Sequence, residues 1–128
     1  MSCGLDPDRV ENNALYCNAP GRANPDSISY DRVFLGELSA NYDLSLVSVV
    51  MAHEFGHAVQ GRIGYPAPAS INVETQADCF AGAWTKWVAQ GQAQHSTIRP
   101  AELDDVLRGY LLLRDPVGTG RNEDEAHG

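Results

Sequence analysis

Two stretches of this chain, residues 44–61 and 72–90, read as helices whose apolar stripes are broken by groups that water normally claims. In the first, His53 and His57 continue a stripe made by Leu46, Val49 and Val50, with Glu54 at its edge. At about 100° per residue the two imidazoles lie roughly 40° apart, one turn above the other. In the second, Glu74 falls among Ala77, Ala81, Trp84 and Val88, and Asp78 follows one turn on. Imidazoles and carboxylates turned toward a core need partners. No Lys or Arg lies near Glu74 or Asp78 in sequence to provide one. The fold must therefore bring both stripes to a shared centre of positive charge.

A bound cation meets that need. His53-Glu54-Phe55-Gly56-His57 is an H-E-x-x-H motif: two imidazoles on one helical face reach one zinc ion, and the carboxylate between them reaches a water on the metal. The plain structural alternative, two satisfied core histidines, has to bury two imidazoles and a carboxylate together. Dipole complementation at a helix start accounts for an acid at position 74 but not for its inward direction. A zinc ion accounts for both inward acids, with Glu74 on the metal and Asp78 behind it, the reverse, or both on the metal. With one of the two acids on the metal, three protein ligands leave a fourth position for water, the arrangement of a catalytic site; with both, little room for water is left. There zinc lowers the pKa of water and polarises a carbonyl, while Glu54 takes the proton and later delivers it to the leaving amine. Tyr65, His95, Tyr110 and His127 are the candidates for stabilising the oxyanion. Phe80, Trp84 and Trp87 read as core residues, and Cys79 as a buried small residue.

Composition narrows the rest. A chain of 128 residues is about one domain, 43% hydrophobic and 20% charged, as in ordinary globular proteins. The longest nearly apolar run, Leu44–Ala52, contains Ser45 and Ser48 and is far short of the ~20 residues of a membrane span. A formal charge of −8 argues against a basic nucleic-acid face. Met1–Val10 has no apolar signal-peptide core, and truncation at either end is left open. Cys3 and Cys17 flank a turn-rich stretch and can close a loop by disulfide, or all three thiols stay unpaired.

Along the chain, residues 1–30 read as irregular, punctuated by Pro7, Pro20, Gly21 and Pro25. Strands at Ala14–Cys17 and Ser27–Tyr30 pair as a hairpin, and a short helix covers Asp31–Leu38. Asp43 caps the first long helix, which Gly61 or Gly64 ends. Asn72 caps the second, which stops at Gln90–Gly91. After a polar loop over 91–99, Pro100 opens a third helix burying Leu103, Val106, Leu107, Tyr110 and Leu111, with Asp104, Asp105 and Arg108 outside. It ends at Asp115–Pro116, and residues 116–128 form a flexible tail.

The segment His53–Gln60, followed by Glu74-Thr75-Gln76-Ala77-Asp78-Cys79-Phe80-Ala81-Gly82, resembles the neutral zinc metallopeptidase family, among the zincins whose third ligand is a glutamate. The resemblance is specific over about residues 44–87. Over Leu15–Leu38 it is weaker, where Tyr16-Cys17 and Ile28–Asp31 are similar to the strands that precede the active-site helix. It implies a zincin-like α+β fold, mainly α, with a small N-terminal sheet or hairpin packed on an active-site helix and a second metal-ligand helix. It also implies Zn2+ held by His53, His57 and Glu74, Glu54 as the catalytic base, and Asp78 accepting the free ring N–H of a ligand histidine, His53. The family's pattern continues past a His-Gly pair like His127-Gly128, and its members carry an upstream signal or anchor. Together with a Cys3–Cys17 disulfide, if that pair forms, this leans toward the cell envelope or outside. Metzincins are set aside because they need Gly at 60 and His at 63, where this chain has Gln60 and Ile63. The expected function is a zinc-dependent metallopeptidase acting on a peptide or protein substrate. The rivals are a catalytically silent zinc-binding scaffold or regulatory domain, which needs no general base, and a hydrolase of non-peptide amides.

Overall fold

Aspartates at two chain reversals start the helices that build the centre of the molecule. Asp31 accepts the backbone N–H groups of Val33 and Phe34 at 3.0 and 3.1 Å, and Asp43 accepts that of Ser45 at 2.8 Å. Each satisfies donors that a helix leaves unpaired in its first turn. In the computed structural model, which describes residues 7–18, 21, 26–66 and 70–113, seven elements follow in order. These are α1 (Pro7–Val10), β1 (Ala14–Asn18), β2 (Asp26–Tyr30), α2 (Arg32–Asn41), α3 (Leu44–Ile63), α4 (Ser70–Ala89) and α5 (Pro100–Leu113). The fold is α+β and mainly α, as expected.

β1 and β2 form an antiparallel hairpin with Tyr16 opposite Ile28 and Cys17 opposite Ser27. β1 packs on α3, and α3 is the central element, touching α2, α4 and α5 as well. Leu35 and Leu38 of α2, Leu46 and Val49 of α3, Ala81 of α4 and Val106 of α5 make the buried core, joined by the half-buried Trp84. Burying each larger aliphatic side chain contributes about 1.5–3 kcal/mol. Gly64, at φ +99°, ends α3, a conformation that L side chains rarely adopt.

Five sequence expectations need correction. Residues 7–10 form one helical turn where irregular chain was expected, and its last residue, Val10, is buried. α4 starts at Ser70, two residues before Asn72, because nothing between Pro68 and Asn72 resists helix. In α5, Leu107 and Leu111 are exposed, while Val106 and Gly109 are buried and Leu113 packs on the core. The face is set by Gly109, where a Cβ would come within 2.5 Å of Leu46 Cδ2 and 3.1 Å of Tyr42 Cγ. The backbone approaches α3 at that point, turning the two leucines outward. Cys79 is exposed and free, since it sits one residue off the inward stripe of Ala77, Asp78 and Ala81. Trp87, expected in the core, is about half exposed.

Cys17 is disulfide-bonded. Cys3, its expected partner, lies outside the described residues, as do the helix end at Asp115–Pro116, the tail over 116–128 and His127. Among the described residues no helix is long and apolar enough to cross a membrane.

Candidate metal centre

Both helices must approach closely for side chains on each to meet, and Gly56 makes that possible. A Cβ at Gly56 would lie 3.1 Å from Ala77 Cα and 3.2 Å from its carbonyl oxygen, so α3 and α4 are nearly in backbone contact there. Around this crossing α3 presents His53, Glu54, His57 and Gln60, whose exposures are 2%, 0%, 5% and 0%. α4 presents Glu74 and Asp78, both half-buried.

Glu74 faces both imidazoles. Its Oε1 is 3.2 Å from His53 Nε2, and its Oε2 is 3.1 Å from His57 Nε2. The second pair is close but not aligned as a hydrogen bond, leaving both atoms without a hydrogen-bond partner. The opposite edges of the rings are occupied: His53 Nδ1 is 2.8 Å from Asp78 Oδ1, and His57 Nδ1 is 2.8 Å from Gln60 Oε1. With the Nδ1 edges engaged, the Nε2 atoms converge on the Glu74 carboxylate. The three ligand atoms lie within 4.8 Å of one another. Zinc bonds of ~2.0 Å in tetrahedral array need separations of roughly 3.3 Å; the 3.1 and 3.2 Å contacts are near this value and reach the two imidazoles from different oxygens of Glu74. His53, His57 and Glu74 thus form a buried group that could hold a metal ion.

Glu54 is held differently. Its Oε2 accepts the backbone N–H of Tyr16 on β1 at 2.8 Å, while its buried Oε1 has no hydrogen-bond partner. Among the described residues, three of the four buried side-chain atoms without such a partner are Glu54 Oε1, His57 Nε2 and Glu74 Oε2. Buried polar atoms are normally satisfied, and a metal ion at this point would give these three a partner.

The electrostatics follow from burial and pairing. Burial raises the Glu54 carboxyl to about 7, against the opposing pull of His53 and His57. For His53, burial pushes the imidazole pKa down, but hydrogen bonds to Asp78 and Glu74 outweigh it and hold the net value well above normal. Glu74 is the converse: burial raises its pKa, yet its contacts with both histidines bring it down to about 2. A metal ion at the Nε2 atoms has to displace protons, so metal and protons compete for the same nitrogens.

Tyr110 of α5 donates its hydroxyl to Asp78 Oδ1 and lies 2.9 Å from His53 Nδ1. It is therefore on the ring edge away from Glu74, supporting the histidine rather than facing a reacting carbonyl. Tyr65 and His95, the other described oxyanion candidates, are exposed and are not drawn into this cluster. Two participants escaped the sequence reading. The Tyr16 N–H is a backbone group 38 residues from Glu54, and only a tertiary structure could reveal it. Gln60 had a signal, a polar residue three positions after His57 on an inward face.

No family model matches the chain, and no solved structure matches it. It is 28% identical over 116 residues to YpfJ of Escherichia coli (strain K12), described as an uncharacterized protein, in an alignment that covers 79% of this chain and 38% of that protein. It is 29% identical over 140 aligned positions to Mb2605 of Mycobacterium bovis and to Rv2575 of Mycobacterium tuberculosis, both also described as uncharacterized. Those alignments cover all of this chain and 47% of each relative. The chain spans less than half the length of the curated relatives it matches.

Proposed function

We propose that the chain is a zinc-dependent metallopeptidase that hydrolyses peptide bonds at the centre formed by His53, His57 and Glu74. The observation that carries this reading is Glu54 Oε1, a buried carboxylate oxygen without a hydrogen-bond partner beside three convergent ligand atoms. A metal-binding scaffold has no use for such a group. Two imidazoles and a carboxylate are a donor set that suits zinc in its catalytic form.

When bound, zinc supplies a Lewis acid that acidifies water and polarises the substrate carbonyl. The chain's residues do the rest. The Tyr16 N–H fixes one oxygen of Glu54, so the other is presented in a single orientation. Glu54 accepts the proton of the attacking water and transfers it to the nitrogen of the leaving amine. Asp78 and Gln60 hold the two imidazoles by their Nδ1 edges, which fixes the ring planes.

The test is metal analysis together with a peptide-library assay on wild type and Glu54→Gln. Both proteins should hold zinc, with hydrolysis in the wild type and none in the variant. Zinc-loaded wild type inert toward a broad library of peptides would favour the scaffold reading instead.

A further inference from the structure

We infer that Gln60 is a positioning residue that commits His57 to present its Nε2 to the metal, an inference that rests on the metal centre proposed above. Gln60 is fully buried, and its amide is held on every side. The Nε2 group donates to the Val73 carbonyl oxygen at 2.8 Å and to Gln76 Oε1 at 2.9 Å, while Oε1 stands 2.8 Å from His57 Nδ1. Which end of an amide is oxygen must be argued from its partners. Here the partner is decisive: a peptide carbonyl only accepts, so the end facing Val73 is the NH2 group. The amide oxygen therefore faces His57. Because that oxygen also only accepts, the proton lies on Nδ1.

In the neutral ring this leaves the lone pair on Nε2, the atom 3.1 Å from Glu74 Oε2. The orientation originates in a backbone atom of α4. The packing of α4 on α3 is thus transmitted through one amide to the tautomer of a ring on α3.

The two ligand histidines are held by chemically different acceptors. His53 faces a carboxylate, Asp78, whereas His57 faces a neutral amide. Glu54, Glu74 and Asp78 already bring three carboxylates to this centre, against a dication. A fourth carboxylate behind His57 would select the same tautomer while adding unneeded negative charge. An amide selects it with none.

The experiment is long-range proton–nitrogen NMR of the imidazoles in the 15N-labelled protein as purified, with zinc affinity measured by chelator competition. Wild type should carry a proton on His57 Nδ1. Gln60→Met should lose that fixed proton and bind zinc about 10–100-fold more weakly, with circular dichroism reporting its fold. Gln76→Ala leaves Val73 to orient the amide and should disturb zinc binding far less. A folded Gln60→Met with wild-type zinc affinity overturns the inference. Should that variant not fold, the wild-type spectrum still decides, because a bare His57 Nδ1 overturns the inference by itself. A wild type with the Nδ1 proton in place but no zinc uptake supports the orienting role of Gln60 and overturns the metallopeptidase reading instead.

Discussion

Glu74 and Asp78 are one helical turn apart, yet they touch opposite edges of His53. Glu74 meets Nε2 of both histidines, whereas Asp78 meets His53 Nδ1 and the Tyr110 hydroxyl. This geometry supports Glu74 as the third ligand and Asp78 as the residue that orients His53. Glu74→Ala should nearly eliminate zinc binding, whereas Asp78→Asn should weaken it by about 10–100-fold and leave a measurable site. Zinc titrations with Asp78→Asn as the more damaging change would exchange the two roles. Glu54 predicts a pH effect whose sign is fixed. Its folded pKa, about 7, is above its ordinary value of 4.5, so the folded state holds that proton more tightly. The resulting stabilisation is fully present below 4.5 and is lost as pH rises through about 7. In metal-free protein, urea unfolding of wild type minus that of Glu54→Gln should therefore decline by about 3 kcal/mol across this interval. A flat difference would mean that Glu54 ionises in the fold as easily as in water.

Helix pairs set where these side chains stand, and glycines decide how near the helices come. Gly56→Ala would press a methyl against the Ala77 backbone, which cannot move without shifting α4. It should destabilise the protein by about 1–3 kcal/mol and weaken zinc binding, since the ligands come from both sides of the crossing. At Gly82, also on α4, a Cβ would meet nothing within 4 Å. Gly82→Ala should instead raise stability by about 0.5–1 kcal/mol in thermal unfolding and leave zinc affinity unchanged. Equal effects at the two positions would show that helix propensity, not interhelical approach, governs both. Local chemistry made the elements themselves legible: Asp43 at the start of α3, Gly64 at its end, Pro100 opening α5, and the alternation of the second strand. The rotation of α5 was not legible. Leucines at 103, 107 and 111 form a plausible stripe alone, and only the approach of Gly109 to Leu46 and Tyr42 rejects it.

At the scale of the molecule, the centre joins parts of the chain that are far apart in sequence. β1 reaches Glu54 through the Tyr16 N–H, α4 supplies Glu74 and Asp78, and α5 reaches Asp78 and His53 through Tyr110. The motif made the α3 contribution readable because its residues share one helical face. The inward acids of α4 were readable because they contradicted their own stripe. The supports from β1 and α5 had no comparable signature, since a strand N–H and one tyrosine look ordinary until the fold brings them in. A metal held at this meeting point should stabilise the whole tertiary arrangement rather than one loop. Zinc at about 100 times its Kd adds ~2.7 kcal/mol to the folded state, a rise in Tm on the order of 10 °C for a chain this size. Glu74→Ala should abolish the rise. Tyr110→Phe, which takes away the α5 support but no ligand, should lower the starting Tm and retain a smaller zinc response. Calorimetry with and without zinc measures all three proteins. A wild type that binds zinc without any change in Tm would place the ion outside the contacts that hold α3, α4 and α5 together.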